Sequence, residues 1–214
     1  MDDGKVNALS PPMLAELGAA LDRAEADGAA VVLTGRGGVF SAGFDLGVLR
    51  AGGPAAAAMV RSGFGLAARL LTFPAPALAA CSGHAVAMGA FLLLAADYRI
   101  GVAGPFRITA NEVAIGLAVP QAAIELCQAR LTPAAFSRAV TLAEVFSPGQ
   151  AAAAGFLDRV VDVTGLEAAA GAEAGRLARL DRRAHVATKL RARRALAEAV
   201  TAAAEAEPGA AGAA

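Results

Sequence analysis

Residues 70–96 read LLTFPAPALAACSGHAVAMGAFLLLAA, a run with no charged side chain. Two structures compete for such a run. A membrane span needs unbroken intrahelical hydrogen bonds, because nothing in hydrocarbon replaces a lost one. Pro74, Pro76, Ser82-Gly83 and Met88-Gly89 interrupt this stretch, and each removes a donor or loosens the backbone. It divides instead into a strand over 77–82, a turn, and a helix over 89–96, all apolar enough to lie in a core. That reading makes the chain a buried α/β protein rather than a membrane one.

The alternation continues on both sides. Upstream, Ser10-Pro11-Pro12 gives an N-cap with proline in the first turn, and Leu14, Leu17 and Leu21 mark the apolar stripe of a helix ending near Gly28. Residues 30–34 (AVVLT) form a short apolar strand, and a helix is expected over 55–72. Downstream, Tyr98 to Val102 reads as a strand. After Pro120 the pattern turns helical: 121–130, 133–142 behind Thr132, and 148–154 behind Ser147 and closed by Gly155. A last strand is expected over 156–163. The expected organisation is a core over 1–163, a helical region over 164–200 containing two helices, and a disordered alanine- and glycine-rich tail over 201–214. The chain opens on the turn signal Met1-Asp2-Asp3-Gly4, so either N-terminal strands precede this point in the natural protein or its start is assigned late.

Composition narrows the function. The 214 residues hold 19 lysines and arginines against 19 aspartates and glutamates, so no overall field draws nucleic acid or an anionic membrane. The first thirty residues lack a basic start and an apolar h-region, so a cytoplasmic location is expected. Cys81 and Cys127 stand far apart, His84 and His185 are the only histidines, and no metal site is expected. Arg176, Arg179, Arg182, Arg183, Lys189, Arg191, Arg193 and Arg194 make the C-terminal helices basic, which reads as a solvated face.

Two glycine-containing segments carry the chemistry. In Gly37-Gly38-Val39-Phe40-Ser41-Ala42-Gly43-Phe44-Asp45-Leu46, small residues after a strand let backbone amides approach a ligand. It has no Gly-Lys-Ser/Thr ending and no Gly-x-Gly-x-x-Gly match, and Val39 stands where a nucleophile elbow around Ser41 needs glycine. The second segment is Ser82-Gly83-His84-Ala85-Val86-Ala87-Met88-Gly89-Ala90. It puts the amides of Met88 and Gly89 at a helix N-terminus, where unpaired N–H groups and the helix dipole favour a negative oxygen. Such donors stabilise charge growing on a thioester oxygen.

Together with Asn7-Ala8-Leu9-Ser10, Asp97-Tyr98-Arg99-Ile100, the segment from Asn111-Glu112 to Leu117, and Ser147-Pro148-Gly149-Gln150-Ala151 leading to Val160-Val161, these segments resemble the crotonase superfamily, the enoyl-CoA hydratase/isomerase family. The resemblance implies an α/β fold with a core of repeated β-β-α turns in a spiral. It also implies a C-terminal helical trimerisation region, and assembly as a homotrimer or hexamer. It implies an acyl-CoA thioester as substrate and no separate cofactor, coenzyme A being part of the substrate. The oxyanion donors fall on the backbone N–H groups of Phe44 and Met88. Ala42, Gly43, Asp45, Leu46, Gly89 and Phe91 fall in the substrate-binding segments, with Asp45 expected to cap a helix or brace the loop. His84 is expected to be a hydrogen-bonded structural histidine.

The carboxylates then decide the reaction. The family's hydratases pair two glutamates; one position is Glu112, and the other is Phe91 here. A lone glutamate suffices to take a proton from one carbon and return it two carbons away, so the pattern resembles a Δ3,Δ2-enoyl-CoA isomerase, with Glu112 as base and desolvation raising its pKa. The alternatives are an enoyl-CoA hydratase and a noncatalytic acyl-CoA-binding subunit. A dehydrogenase lacks its dinucleotide fingerprint. By the same resemblance, some of Lys189, Arg191 and Arg194 would reach the phosphates of coenzyme A.

Overall fold

The computed structural model describes residues 1–206. After helix α1 (Pro11–Ala26), strands β1 (Val31–Thr34) and β2 (Gly38–Ser41) lead to α2 (Leu46–Ala51) and α3 (Gly53–Thr72). Strands β3 (Ala77–Cys81) and β4 (Gly83–Val86) lead to α4 (Met88–Ala95). Strands β5 (Tyr98–Val102) and β6 (Ile108–Thr109) lead to α5 (Gln121–Arg130), α6 (Pro133–Leu142) and α7 (Pro148–Ala154), and β7 (Arg159–Val161) precedes α8 (Leu166–Ala178) and α9 (Arg182–Ala206). Each β-β pair sends its first strand to one sheet, in the order β1-β3-β5-β7, and its second to another, in the order β2-β4-β6. All of these pairings are parallel. The chain therefore climbs as a spiral of β-β-α turns, the fold that the resemblance implied.

The uncharged run resolves as the sequence suggests. Strand β3 is buried at every position, as is all of α4. Among the described residues no helix is long and apolar enough to cross a membrane. Local signals hold elsewhere too: Ser10 accepts from the Met13 N–H and Thr132 from the Ala135 N–H. Ser147 and Gln150 form a reciprocal capping box. Ser147→Ala is expected to cost about 1 kcal/mol, read from the midpoint of urea unfolding.

Several expectations need correction. The two glycine-containing segments are not wholly loops, since β2 and β4 lie inside them, and β6 was not foreseen. Four-residue strands with glycines carry little intrinsic preference and form because they pair with each other. The last strand shrinks from 156–163 to Arg159–Val161. Residues 201–206, expected in the tail, belong to α9, which runs to Ala206 with Val200 and Ala204 buried, and residues 207–214 of that expected tail lie outside the described residues. Helix α9 packs along α3 and α5 of its own chain, so its apolar stripe completes this chain's core.

The basic face also divides. Lys189 is only 6% exposed; its Nζ donates to Asp97 Oδ2 at 2.7 Å and to the Ala75 carbonyl at 3.2 Å. Arg193 donates to Asp97 Oδ1, and Asp97 also accepts the Ala77 N–H at 2.8 Å. Lys189 is therefore a buried tie between α9 and the end of α4, not part of a solvated face. Nothing in residues 180–194 announced this, because the partner lies 92 positions away.

Candidate active site

The three-stranded sheet builds the site. Its strands are parallel and adjacent in the order β2-β4-β6, so their carboxyl ends stand side by side about 5 Å apart. From the end of β2 comes Ala42-Gly43-Phe44-Asp45, from the end of β4 Ala87-Met88-Gly89, and from the end of β6 Ala110-Asn111-Glu112. Segments far apart in sequence thus meet at one edge, where ligands of open parallel sheets bind.

The first two segments are pressed together. A Cβ built on Gly43 would stand 2.9 Å from the Val86 oxygen and from the Ala87 Cβ, and 3.3 Å from the Met88 nitrogen. Gly43 also has φ +89°, a region that L side chains rarely adopt. Gly89 is equally tight: a Cβ there would lie 2.5 Å from the Ser41 oxygen. The next amides, of Phe44 and Met88, find no acceptor among the described residues. Met88 opens α4, so its N–H lies before the first intrahelical acceptor. Its side chain turns away into the core, with the terminal methyl 3.7 Å from where a Gly63 Cβ would stand. Gly43→Ala is expected to force the two segments apart. A displacement near 1 Å costs on the order of 10²-fold in rate, so kcat should fall by about that factor while far-UV circular dichroism stays native-like.

Around this pair the polar groups brace the backbone. Asp45 caps α2, accepting the Gly47 and Val48 N–H groups at 2.7 and 3.1 Å, the bracing role expected of it. Ser41 Oγ donates to the Asn7 oxygen at 2.8 Å and accepts the Gly43 N–H at 3.1 Å, so its hydroxyl is spent on loop geometry. Asn7, fully buried, donates from Nδ2 to the carbonyls of Val39 and Phe40. His84 Nδ1 accepts the Arg107 N–H at 3.0 Å, a structural bond. Ala42 is half-buried beside Gly43, whereas Leu46 is 47% exposed at the rim.

Glu112 is the buried carboxylate of the site. It is 8% exposed, and its Oε2 is enclosed with no hydrogen-bond partner among the described residues. Burial pushes its pKa from 4.5 up to about 7, against a smaller opposing effect of its own backbone N–H. The carboxyl is thus poised to take up and release a proton near neutrality. Phe91 lies in the core at 1% exposure, stacked on Phe64 with ring centroids 6.3 Å apart. Phe64 in turn meets the edge of Phe44 at 6.1 Å. At the position where the resemblance implies a second carboxylate in hydratases, this chain has an aromatic stack.

Sequence reasoning missed several neighbours. Thr109 accepts the Ala87 N–H at 2.9 Å and so ties β6 to the turn before Met88, and its buried hydroxyl has no partner among the described residues. Cys127 on α5 is near enough to Glu112 that burial, reinforced by the carboxylate charge, keeps its thiol protonated. Ala87 holds φ 51° and ψ −125°, a strained conformation for any residue with a Cβ. Asn7 and Ala87 were legible only as members of quoted segments, without their roles; Thr109 and Cys127 depend on register between distant strands and helices.

Comparison with known proteins shows the family and the fold. Residues 1–211 match a family model described as enoyl-CoA hydratase/isomerase. A crystal structure of an enoyl-CoA hydratase/isomerase family protein from Pseudomonas syringae superposes with a TM-score of 0.94 at 51% identity, covering 96% of this chain and 89% of that one. An enoyl-CoA hydratase from Mycobacterium ulcerans gives 0.93 at 46% identity, covering 96% and 90%. The human mitochondrial enoyl-CoA delta isomerase 1 is 34% identical over 161 residues, 73% of this chain and 53% of its own length. In sequence, the chain spans about half the length of the curated relatives that it matches.

Proposed function

Given that the chain belongs to the enoyl-CoA hydratase/isomerase family, we propose that it shifts the double bond of a 3-enoyl-CoA to the 2-position, with Glu112 carrying the proton. The ionised carboxylate of Glu112 removes a proton from the carbon next to the thioester. The electron pair of that C–H bond moves into the conjugated system and charge collects on the thioester oxygen. The N–H groups of Phe44 and Met88 receive that oxygen, and helix α4 presents its positive end to it. Glu112, now protonated, returns the proton two carbons away, leaving the 2-enoyl thioester and a carboxylate ready for the next cycle.

The observation that carries this reading is the buried Glu112, with Oε2 unspent and a pKa near 7, in a chain whose position 91 holds a phenylalanine stacked on Phe64. Adding water across a double bond in this family's manner uses two carboxylates to polarise the water, and Phe91 supplies none. The second reading, hydration of a 2-enoyl-CoA, is favoured by the hydratase name of the Mycobacterium ulcerans relative. Turnover of a 3-enoyl-CoA and a 2-enoyl-CoA by the purified chain separates the two. Isomerisation without hydration supports the proposal, hydration at a comparable rate replaces it, and thioester binding without turnover leaves a noncatalytic subunit. In the isomerisation direction, kcat/KM should rise about tenfold per pH unit below 7 and level off above it, because the free protein must hold Glu112 as carboxylate.

A further inference from the structure

The direction of each oxyanion donor is set by the carbonyl before it. In a trans peptide the C=O and the next N–H point opposite ways. The Gly43 carbonyl accepts the Leu9 N–H at 2.8 Å, which turns the Phe44 N–H to the other side. The Ala87 carbonyl accepts the Ala90 and Phe91 N–H groups at 2.9 and 3.1 Å, in the first turn of α4, which turns the Met88 N–H away from the helix. Two aimed donors still need a spacing, since one oxygen must reach both.

Ala87 stands where that spacing is decided. Its N–H is held by the Thr109 carbonyl at 2.9 Å and its own carbonyl by α4, so its backbone is fixed on both sides. Between these ties it takes φ 51° and ψ −125°, a path that glycine follows freely and a residue with a Cβ follows only under strain. The methyl that causes the strain faces the other segment. A Cβ built on Gly43 would stand 2.9 Å from the Ala87 Cβ. With a carbon–carbon bond of about 1.5 Å, the Ala87 methyl therefore lies within about 4.5 Å of the Gly43 Cα, the range of direct apolar contact. Ala87 is only half-buried, so this methyl plugs no closed cavity. What it touches is the backbone that carries the other donor.

On the reading of Phe44 and Met88 as donors to a thioester oxygen, we propose that Ala87 is a positioning residue, whose methyl, set against Gly43, holds the two N–H groups at the separation that an enolate oxygen needs. A methyl that is merely tolerated makes the opposite prediction, because removing it would relieve strain and leave turnover intact.

The test compares Ala87→Gly, which keeps the backbone path and loses the methyl, with Ala87→Ser, which keeps a Cβ. One readout is turnover of whichever enoyl-CoA the wild-type chain converts. The other needs no turnover: it is the ionisation of bound acetoacetyl-CoA, whose enolate carries charge on the thioester oxygen and absorbs in the ultraviolet. In Ala87→Gly, kcat should fall about tenfold, part of the 10²-fold expected for a displacement of about 1 Å, with KM little changed and a urea midpoint no lower than the wild type's. Bound acetoacetyl-CoA should ionise about one pH unit higher in that variant, the same factor of ten. Ala87→Ser should restore most of both. Full turnover or unchanged enolate formation in Ala87→Gly, a loss confined to KM, a fallen urea midpoint, or an equal loss in Ala87→Ser would each overturn the proposal. So would a wild-type chain on which acetoacetyl-CoA ionises no more readily than in solution. If the wild-type chain converts neither a 3-enoyl-CoA nor a 2-enoyl-CoA, the isomerase reading fails alone, because the enolate readout still decides the role of Ala87.

Discussion

Replacing Glu112 with glutamine is expected to lower turnover of a 3-enoyl-CoA by about 10²- to 10⁴-fold, the range for losing a positioned acid–base group, and at the same time to stabilise the protein at pH 8. The stability change follows from the direction of the pKa shift. In the unfolded chain the carboxyl loses its proton near 4.5, whereas in the folded chain burial holds it until about 7. The stability linked to that proton is present below 4.5, declines between 4.5 and 7, and is gone above 7. The interval, 7 − 4.5, corresponds to about 3.5 kcal/mol at about 1.4 kcal/mol per unit. Glutamine carries no charge to bury, so Glu112→Gln should approach that gain at pH 8 and show none at pH 4, read from urea midpoints at the two pH values. Lost activity together with gained stability marks a group held in place for chemistry; lost activity with lost stability at pH 8 would mark a structural one.

Asp97→Ala should produce the largest loss of stability in the set, about 3–5 kcal/mol, because removing one partner leaves buried charge uncompensated. Lys189 and Arg193 both depend on Asp97, with side-chain exposures of 3% and 18%. The Ala77 N–H at the start of β3 would lose its acceptor too. Burial already holds the Lys189 ammonium below its ordinary pKa despite Asp97. The companion variant Asp97→Ala/Lys189→Met removes the orphaned ammonium and should recover part of the loss. Equilibrium unfolding of the single and double variants measures both terms, and a double variant no more stable than the single would show that Lys189 is not what Asp97 compensates.

Legibility in the sequence followed the range of the interaction. Strand β3, helix α4 and the caps Ser10, Thr132 and Ser147 depend on signals within a few residues, and each formed near its expected position. The positions of Phe44, Met88 and Glu112 were named from the order of motifs, and the sheet β2-β4-β6 brings those segments to one edge. That sheet itself was invisible, because its strands are two to four residues long and form only in one another's presence. The tie from Lys189 to Asp97 was equally hidden, since a lysine among seven arginines reads as solvent-facing until its partner is known. Phe91 was legible as a missing carboxylate but not as part of a stack with Phe64 and Phe44.

The packing of α9 along α3 has a consequence for how the protein reaches its native state during synthesis. Helix α3 buries ten residues, from Ala56 to Leu71, and part of the surface that covers them lies on Leu196, Ala197, Val200 and Ala204, more than a hundred positions later. Such contacts close late, because a long loop must be ordered before they form. While the ribosome is still translating residues 100–180, both sheets can begin to pair, yet one side of α3 stays bare. The nascent chain therefore carries an adhesive apolar stripe until α9 has emerged, and translation speed or chaperone supply in that interval should govern the yield of folded protein.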